Sequence, residues 1–130
     1  VVEPCLRGFE PELVLVACGL DASAYDPMGR MALTARGYGA LTRRLQAVAD
    51  EACGGRLVVI TEGGYSTAYA PFCGLAVVEA LADVAPTVDP FEPFVGGAVA
   101  AHLTASQADA VETARQAWLT AASITTAEVA

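Results

Sequence analysis

Two continuous apolar runs, ELVLVACG at residues 12–19 and RLVVIT at residues 56–61, punctuate the first half of the sequence. What lies between them dictates how they can pair. From Thr34 to Cys53 the spacing is helical: Leu41, Leu45, Val48 and Ala49 share one stripe, Arg43 and Arg44 lie off it, Thr34 offers an N-cap and Gly54-Gly55 a stop. A helix-length segment between two strands makes a parallel crossover, and the alternation of Val against Leu in the first run predicts a strand covered on both faces.

The chain continues in the same rhythm. A second apolar helix is predicted over residues 71–83, opening near Pro71, and VVEPCLRGFEP at the start reads as a helix ending near Gly8. Pro86, Pro90 and Pro93 then break the pattern into a loop carrying Asp89 and Glu92, before residues 105–122 regain helical character, with Val111, Ala114, Trp118 and Leu119 spaced to dock on a core. The order is that of an α/β domain with a parallel sheet, residues 1–85, followed by a proline-containing loop and helix, 86–130, on the same domain. Two strands make too small a sheet for such a domain, so pairing with strands outside these 130 residues is expected.

Composition narrows the function classes. A formal charge of −8, with no lysine and no cluster of arginine, disfavours a nucleic-acid surface, suits a cationic substrate or partner, and equally serves to keep an apolar chain soluble. No apolar stretch approaches a bilayer span, nothing in these residues marks a signal peptide, and the leading Val1 suggests a processed or truncated chain. Cys5, Cys18, Cys53 and Cys73 show no C-x-x-C or zinc-finger spacing. They read as core thiols, Cys18 and Cys73 above all, suited to a reducing cytoplasm, which is the expected location. His102, the one histidine, has no visible connection to any thiol and reads as a surface or packing residue.

Functional groups of open α/β sheets collect beyond the carboxyl ends of the strands. Here the first strand delivers CGLDASAYDPMG and the second EGGYS, so Asp21 and Tyr65 fall in one layer. A carboxylate there can ligate a divalent metal, and a phenol can donate to an oxygen gaining negative charge. By position alone Asp21 is as readily a turn former and Tyr65 a ring lying across the sheet end; Asp26-Pro27 reads as a turn signal. No phosphate-binding glycine motif is present.

Taken together, PELVLVACGLDASAYDPMGRMALTARGY and CGGRLVVITEGGYSTAYAPFCGLAVVEAL resemble the C-terminal part of the histone deacetylase superfamily, particularly its bacterial class II-like and acetylpolyamine amidohydrolase-like members. The likeness runs over residues 1–85 and more weakly into DPFEPFVGG and the last helix. It implies an arginase/deacetylase-type three-layer α/β fold, of which this chain is an incomplete C-terminal portion, and zinc-dependent hydrolysis of acetyl-lysine or an acetylpolyamine. Asp21 matches the family's last zinc-binding aspartate, and Tyr65 the tyrosine that hydrogen-bonds the scissile carbonyl and its oxyanion. Pro27 and Met28 match a segment lining the acyl tunnel, Gly63 and Gly64 its glycine wall.

The sequence departs from that family in what it lacks. The Asp-x-His pair that completes the zinc site and the tandem histidines that supply the base are both missing. One carboxylate falls short of the three protein ligands a catalytic zinc takes. The chain alone is therefore expected to be inactive and to need the remainder of the deacetylase domain as its partner, with self-association possible and neither nucleic acid nor membrane engaged directly. A non-catalytic binding module derived from the same fold is the alternative.

Overall fold

The computed structural model describes residues 1–29, 31–95 and 103–128, with side chains up to Ala121. Helix α1 (Val2–Phe9) leads through Glu10, at φ 53°, into strand β1 (Val14–Cys18) and a single 3-10 turn (Leu20–Ala22). Helix α2 (Ala35–Cys53) crosses over to strand β2 (Leu57–Thr61), which is followed by α3 (Ala70–Leu81), the short α4 (Glu92–Val95) and α5 (Ala105–Glu128). The strands pair in parallel, with Val14 opposite Leu57 and Cys18 opposite Thr61.

Local chemistry sets the helix ends. The Thr34 hydroxyl accepts from the Gly37 amide at 3.0 Å, satisfying a donor that the helix itself leaves free. At the other end Gly54 takes φ 62° and its amide donates to Ala49 O, the left-handed stop that a residue without Cβ makes cheaply.

The expectation of strands buried on both faces does not hold. Val14, Val16 and Cys18 of β1 and Leu57 and Val59 of β2 are buried or half-buried, whereas Leu15, Ala17, Val58 and Ile60 between them are exposed. All the helices that touch this sheet cover one side of it, so the period-two alternation sends every second apolar side chain to an open face. The covered side holds a core of Leu20, Tyr38, Tyr69, Cys73 and Val77, joined to Val14, Ala49 and Cys53 at the other end of the strands.

Two further expectations change. On α2, Val48 and Ala49 are buried, but Leu41 is 50% exposed because α3 packs against Tyr38, Gly39 and Thr42; Leu41 and Leu45 instead line a shallow hollow beside Val1, Val2 and Pro4. On α5, Val111 and Leu119 are exposed and only Trp118 is half-buried, its ring 3.9 Å from where a Cβ at Gly8 would lie. Glu112 reaches Arg115 and Gln116 within the helix, so α5 satisfies its polar side chains locally. No helix among the described residues is long and apolar enough to cross a membrane.

Candidate active site at the strand ends

Both strands stop within two residues of a glycine, Gly19 after β1 and Gly63 after β2, and the loops that follow are laced together by their backbones. Leu20 N donates to Gly63 O at 2.5 Å and Glu62 N to Cys18 O at 3.1 Å. From behind, the phenol of Tyr38 on α2 donates to Gly19 O at 3.0 Å. Burial first, then the thiols of Cys73 and Cys18 and the Asp21 carboxylate, push the Tyr38 phenol well above its ordinary range, so it stays a donor at physiological pH.

This lacing brings Asp21 against the glycine loop. A methyl group built on Gly63 would lie 2.8 Å from Asp21 Cγ, closer than real side chains approach, and one on Gly29 would strike the Asp21 carbonyl. Gly63 is thus glycine because a carboxylate occupies the space of its side chain. Gly64 has φ 151°, and a Cβ there would meet Leu20 Cβ at 2.8 Å. The Asp21 carboxylate is half-buried and accepts no hydrogen bond from the described residues.

The other candidates cluster around it in a different state. Tyr65 is 57% exposed, Met28 is 73% exposed, and Pro27 and Gly64 are exposed as well, so these groups form an open ledge. A cavity of about 250 Å³ between α2, α3 and the 86–92 loop includes neither Asp21 nor Tyr65. His102 lies outside the described residues.

Sequence reasoning read Asp26 as a turn signal and missed its reach. Its Oδ1 accepts from Met28 N at 2.8 Å and Gly29 N at 3.0 Å, and its Oδ2 accepts from Tyr65 N at 2.7 Å. Desolvation works to raise its pKa, but the amides of Tyr65, Gly29, Met28 and Ser66 outweigh it and hold the carboxyl below the ordinary range. Asp89 was likewise only an acidic loop residue. It accepts from the Tyr69 phenol at 2.9 Å, while that oxygen accepts from Ala35 N at 3.0 Å, tying the proline loop to the start of α2. Tyr69 anchors an aromatic group with Tyr25 and Phe91, and no local sequence signal pairs those positions.

The thiols take no visible part. Cys53 and Cys73 are buried as expected, while Cys18 and Cys5 are half-buried. Burial, with Asp89 nearby, pushes Cys73 up to about 12, and burial raises Cys18 too, so neither is a ready nucleophile.

The parallel crossover thus sets a carboxylate and a glycine-borne tyrosine at adjacent strand ends, the edge where open α/β sheets collect functional groups. Residues 1–81 match the family model of the histone deacetylase domain, and the chain belongs to that family. It is 49% identical over 96 residues to a histone deacetylase-like amidohydrolase of Pseudomonas aeruginosa, a match covering 73% of this chain and 25% of that protein. A probable deacetylase of Archaeoglobus fulgidus is 41% identical over 83 residues, 63% of this chain and 23% of its own. Among solved structures, the histone deacetylase Clr3 superposes with a TM-score of 0.60 at 33% identity, covering 73% of this chain and 16% of Clr3. The HDA15 HD domain gives 0.58 at 35% identity, covering 68% and 24%. The chain therefore has part of the α/β deacetylase fold, with two strands of its parallel sheet, and spans about a quarter of the length of these two relatives.

Proposed function

We propose that this chain is the C-terminal portion of a zinc-dependent amidohydrolase that removes the acetyl group from an acetylated amine, acetyl-lysine or an acetylpolyamine. The observation that carries the reading is the Asp21 carboxylate, which accepts no hydrogen bond from the described residues and is seated against Gly63, two residues before Tyr65.

Asp21 fits one ligand position of a zinc ion. No group of three metal-ligating side chains exists among the described residues, yet a half-buried carboxylate with both oxygens unclaimed is the right chemistry for one ligand. Asp21 would hold one side of the ion, and ligands from the remainder of the domain would hold the others. When bound, zinc supplies Lewis-acid polarisation of an amide carbonyl and acidifies water. Tyr65 then donates its phenolic hydrogen to the carbonyl oxygen, a bond that strengthens as that oxygen gains charge. Gly63 and Gly64 would form one wall of an acyl channel beside that phenol, with Pro27 and Met28 on its other flank. The remainder of the domain would also cover the open sheet face of Leu15, Ala17, Val58 and Ile60.

The test is made on the full-length polypeptide that carries this sequence, with metal analysis and with acetyl-lysine and acetylpolyamine substrates. Tyr65→Phe should lower kcat by about 100- to 1,000-fold, as loss of one oxyanion donor does. Asp21→Ala should abolish stoichiometric zinc. Full activity in the first or full zinc in the second would remove the assigned role, and a zinc-free, inactive full-length protein would favour the binding-module reading.

A further inference from the structure

Asp26 is 8% exposed, and no arginine forms an ion pair with it among the described residues. A buried carboxylate without a cation needs donors from elsewhere. Here all of them are backbone amides, and they come from two separate loops. Oδ1 closes the local turn at Met28 and Gly29, which is what an Asp before a proline commonly does. Oδ2 is not needed for that turn, and it crosses 39 positions of sequence to take the Tyr65 amide at 2.7 Å.

Building on the deacetylase reading of the site, on which this step rests, we propose that Asp26 is the positioning residue of Tyr65, clamping the 27–29 turn with one oxygen and the tyrosine backbone with the other. The clamp has a mechanical reason. Tyr65 follows two glycines and its ring is more than half exposed, so side-chain packing does little to fix where its phenol stands. A short charge-assisted bond at its own amide removes that freedom at the point closest to the ring. The same carboxylate fixes the turn carrying Met28, so both flanks of the acyl site move as one body. Because the amides hold Asp26 ionised, the clamp persists across the neutral range.

Asp26→Asn separates this role from turn formation. The amide oxygen can still accept from Met28 and Gly29, but the amide nitrogen then faces the Tyr65 N–H, donor against donor. Kinetics on an acetyl-lysine peptide and zinc content would be compared for the full-length enzyme, Asp26→Asn, Tyr65→Phe and the double variant. Asp26→Asn should lose about 10- to 100-fold in kcat, the scale of a small misplacement of a reacting group, with KM within about twofold and zinc unchanged. On the Tyr65→Phe background the same change should cost less than about twofold, because the group it positions is gone.

An equal loss in both backgrounds, or a single variant of full activity, would overturn the clamp while leaving the deacetylase reading intact. A fully active Tyr65→Phe enzyme would instead overturn that reading. Should Asp26→Asn fail to fold, amide hydrogen exchange of the unmodified enzyme decides: slow exchange at Tyr65, comparable with strand amides, is expected, and exchange at the rate of an open loop would sink the proposal.

Discussion

The strand-end ledge and helix α5 hold themselves together in opposite ways. On the ledge, hydrogen bonds run between segments far apart in sequence: Leu20 to Gly63, Glu62 to Cys18, Tyr65 to Asp26, Tyr38 to Gly19. Each of them ends on a backbone group, so it fixes the path of a loop rather than the orientation of one side chain. On α5 the described side-chain bonds span three or four residues, as from Arg115 and Gln116 to Glu112 or from Thr113 Oγ1 to Asp109 O. Such bonds sustain a helix wherever it sits and say nothing about its neighbours. The contrast teaches where sequence change should be felt: one altered atom on the ledge displaces two loops, whereas one on α5 away from Trp118, whose ring lies beside Gly8, displaces little else.

The sharpest test of that contrast after Tyr65 is Gly63→Ala. Its methyl group would press on the Asp21 carboxylate, and zinc affinity of the full-length protein, measured by chelator competition, should fall about 10- to 100-fold, the range seen when a metal ligand's support is disturbed. Unaltered affinity would mean that Asp21 points elsewhere in the assembled domain. Next in size, Tyr38→Phe removes the donor to Gly19 O and should lower unfolding free energy by about 1 kcal/mol in a denaturant titration, without changing zinc content.

Acid acts on the ledge in one direction. The Asp26 carboxyl is depressed below its ordinary 3.8, so the stabilisation from its amide bonds is complete above that value and is lost as pH falls through the lower folded-state value. Protection of the Tyr65 amide should therefore be flat down to about pH 4 and fail only beneath it. A transition near pH 6 would break the assignment. Smallest of all, Val111→Ser on the exposed surface of α5 should move stability by less than about 0.5 kcal/mol. A larger loss would show that the Val111 face of α5 packs on something and that the contrast is false.

The sequence made the local part of this structure readable. Thr34, Gly54 and the two apolar runs announce the β1–α2–β2 crossover within a residue or two, since caps and strand composition are properties of neighbours. Asp21 and Tyr65 could be placed in one layer because parallel strands must deliver their carboxyl ends to the same edge. Asp26 was hidden by its own ordinariness: an Asp-Pro pair explains itself as a turn, and nothing nearby betrays that its second oxygen serves Tyr65. The union of Tyr69, Asp89 and Ala35 was hidden by distance, being made only when α3 packs on α2. That one sheet face stands bare in this chain was not legible, because Leu15, Val58 and Ile60 carry the composition of buried residues, while pattern alone does not say which segments supply the cover.

The close seat of Asp21 against Gly63 has an evolutionary side. Any side chain gained at position 63 collides with the carboxylate, and a shorter residue at 21 that made room would surrender that carboxylate. Neither position can drift first without loss, so a lineage that changes one must pass through a crippled intermediate or change both together. The pair behaves as a single heritable character, written in two places in the chain.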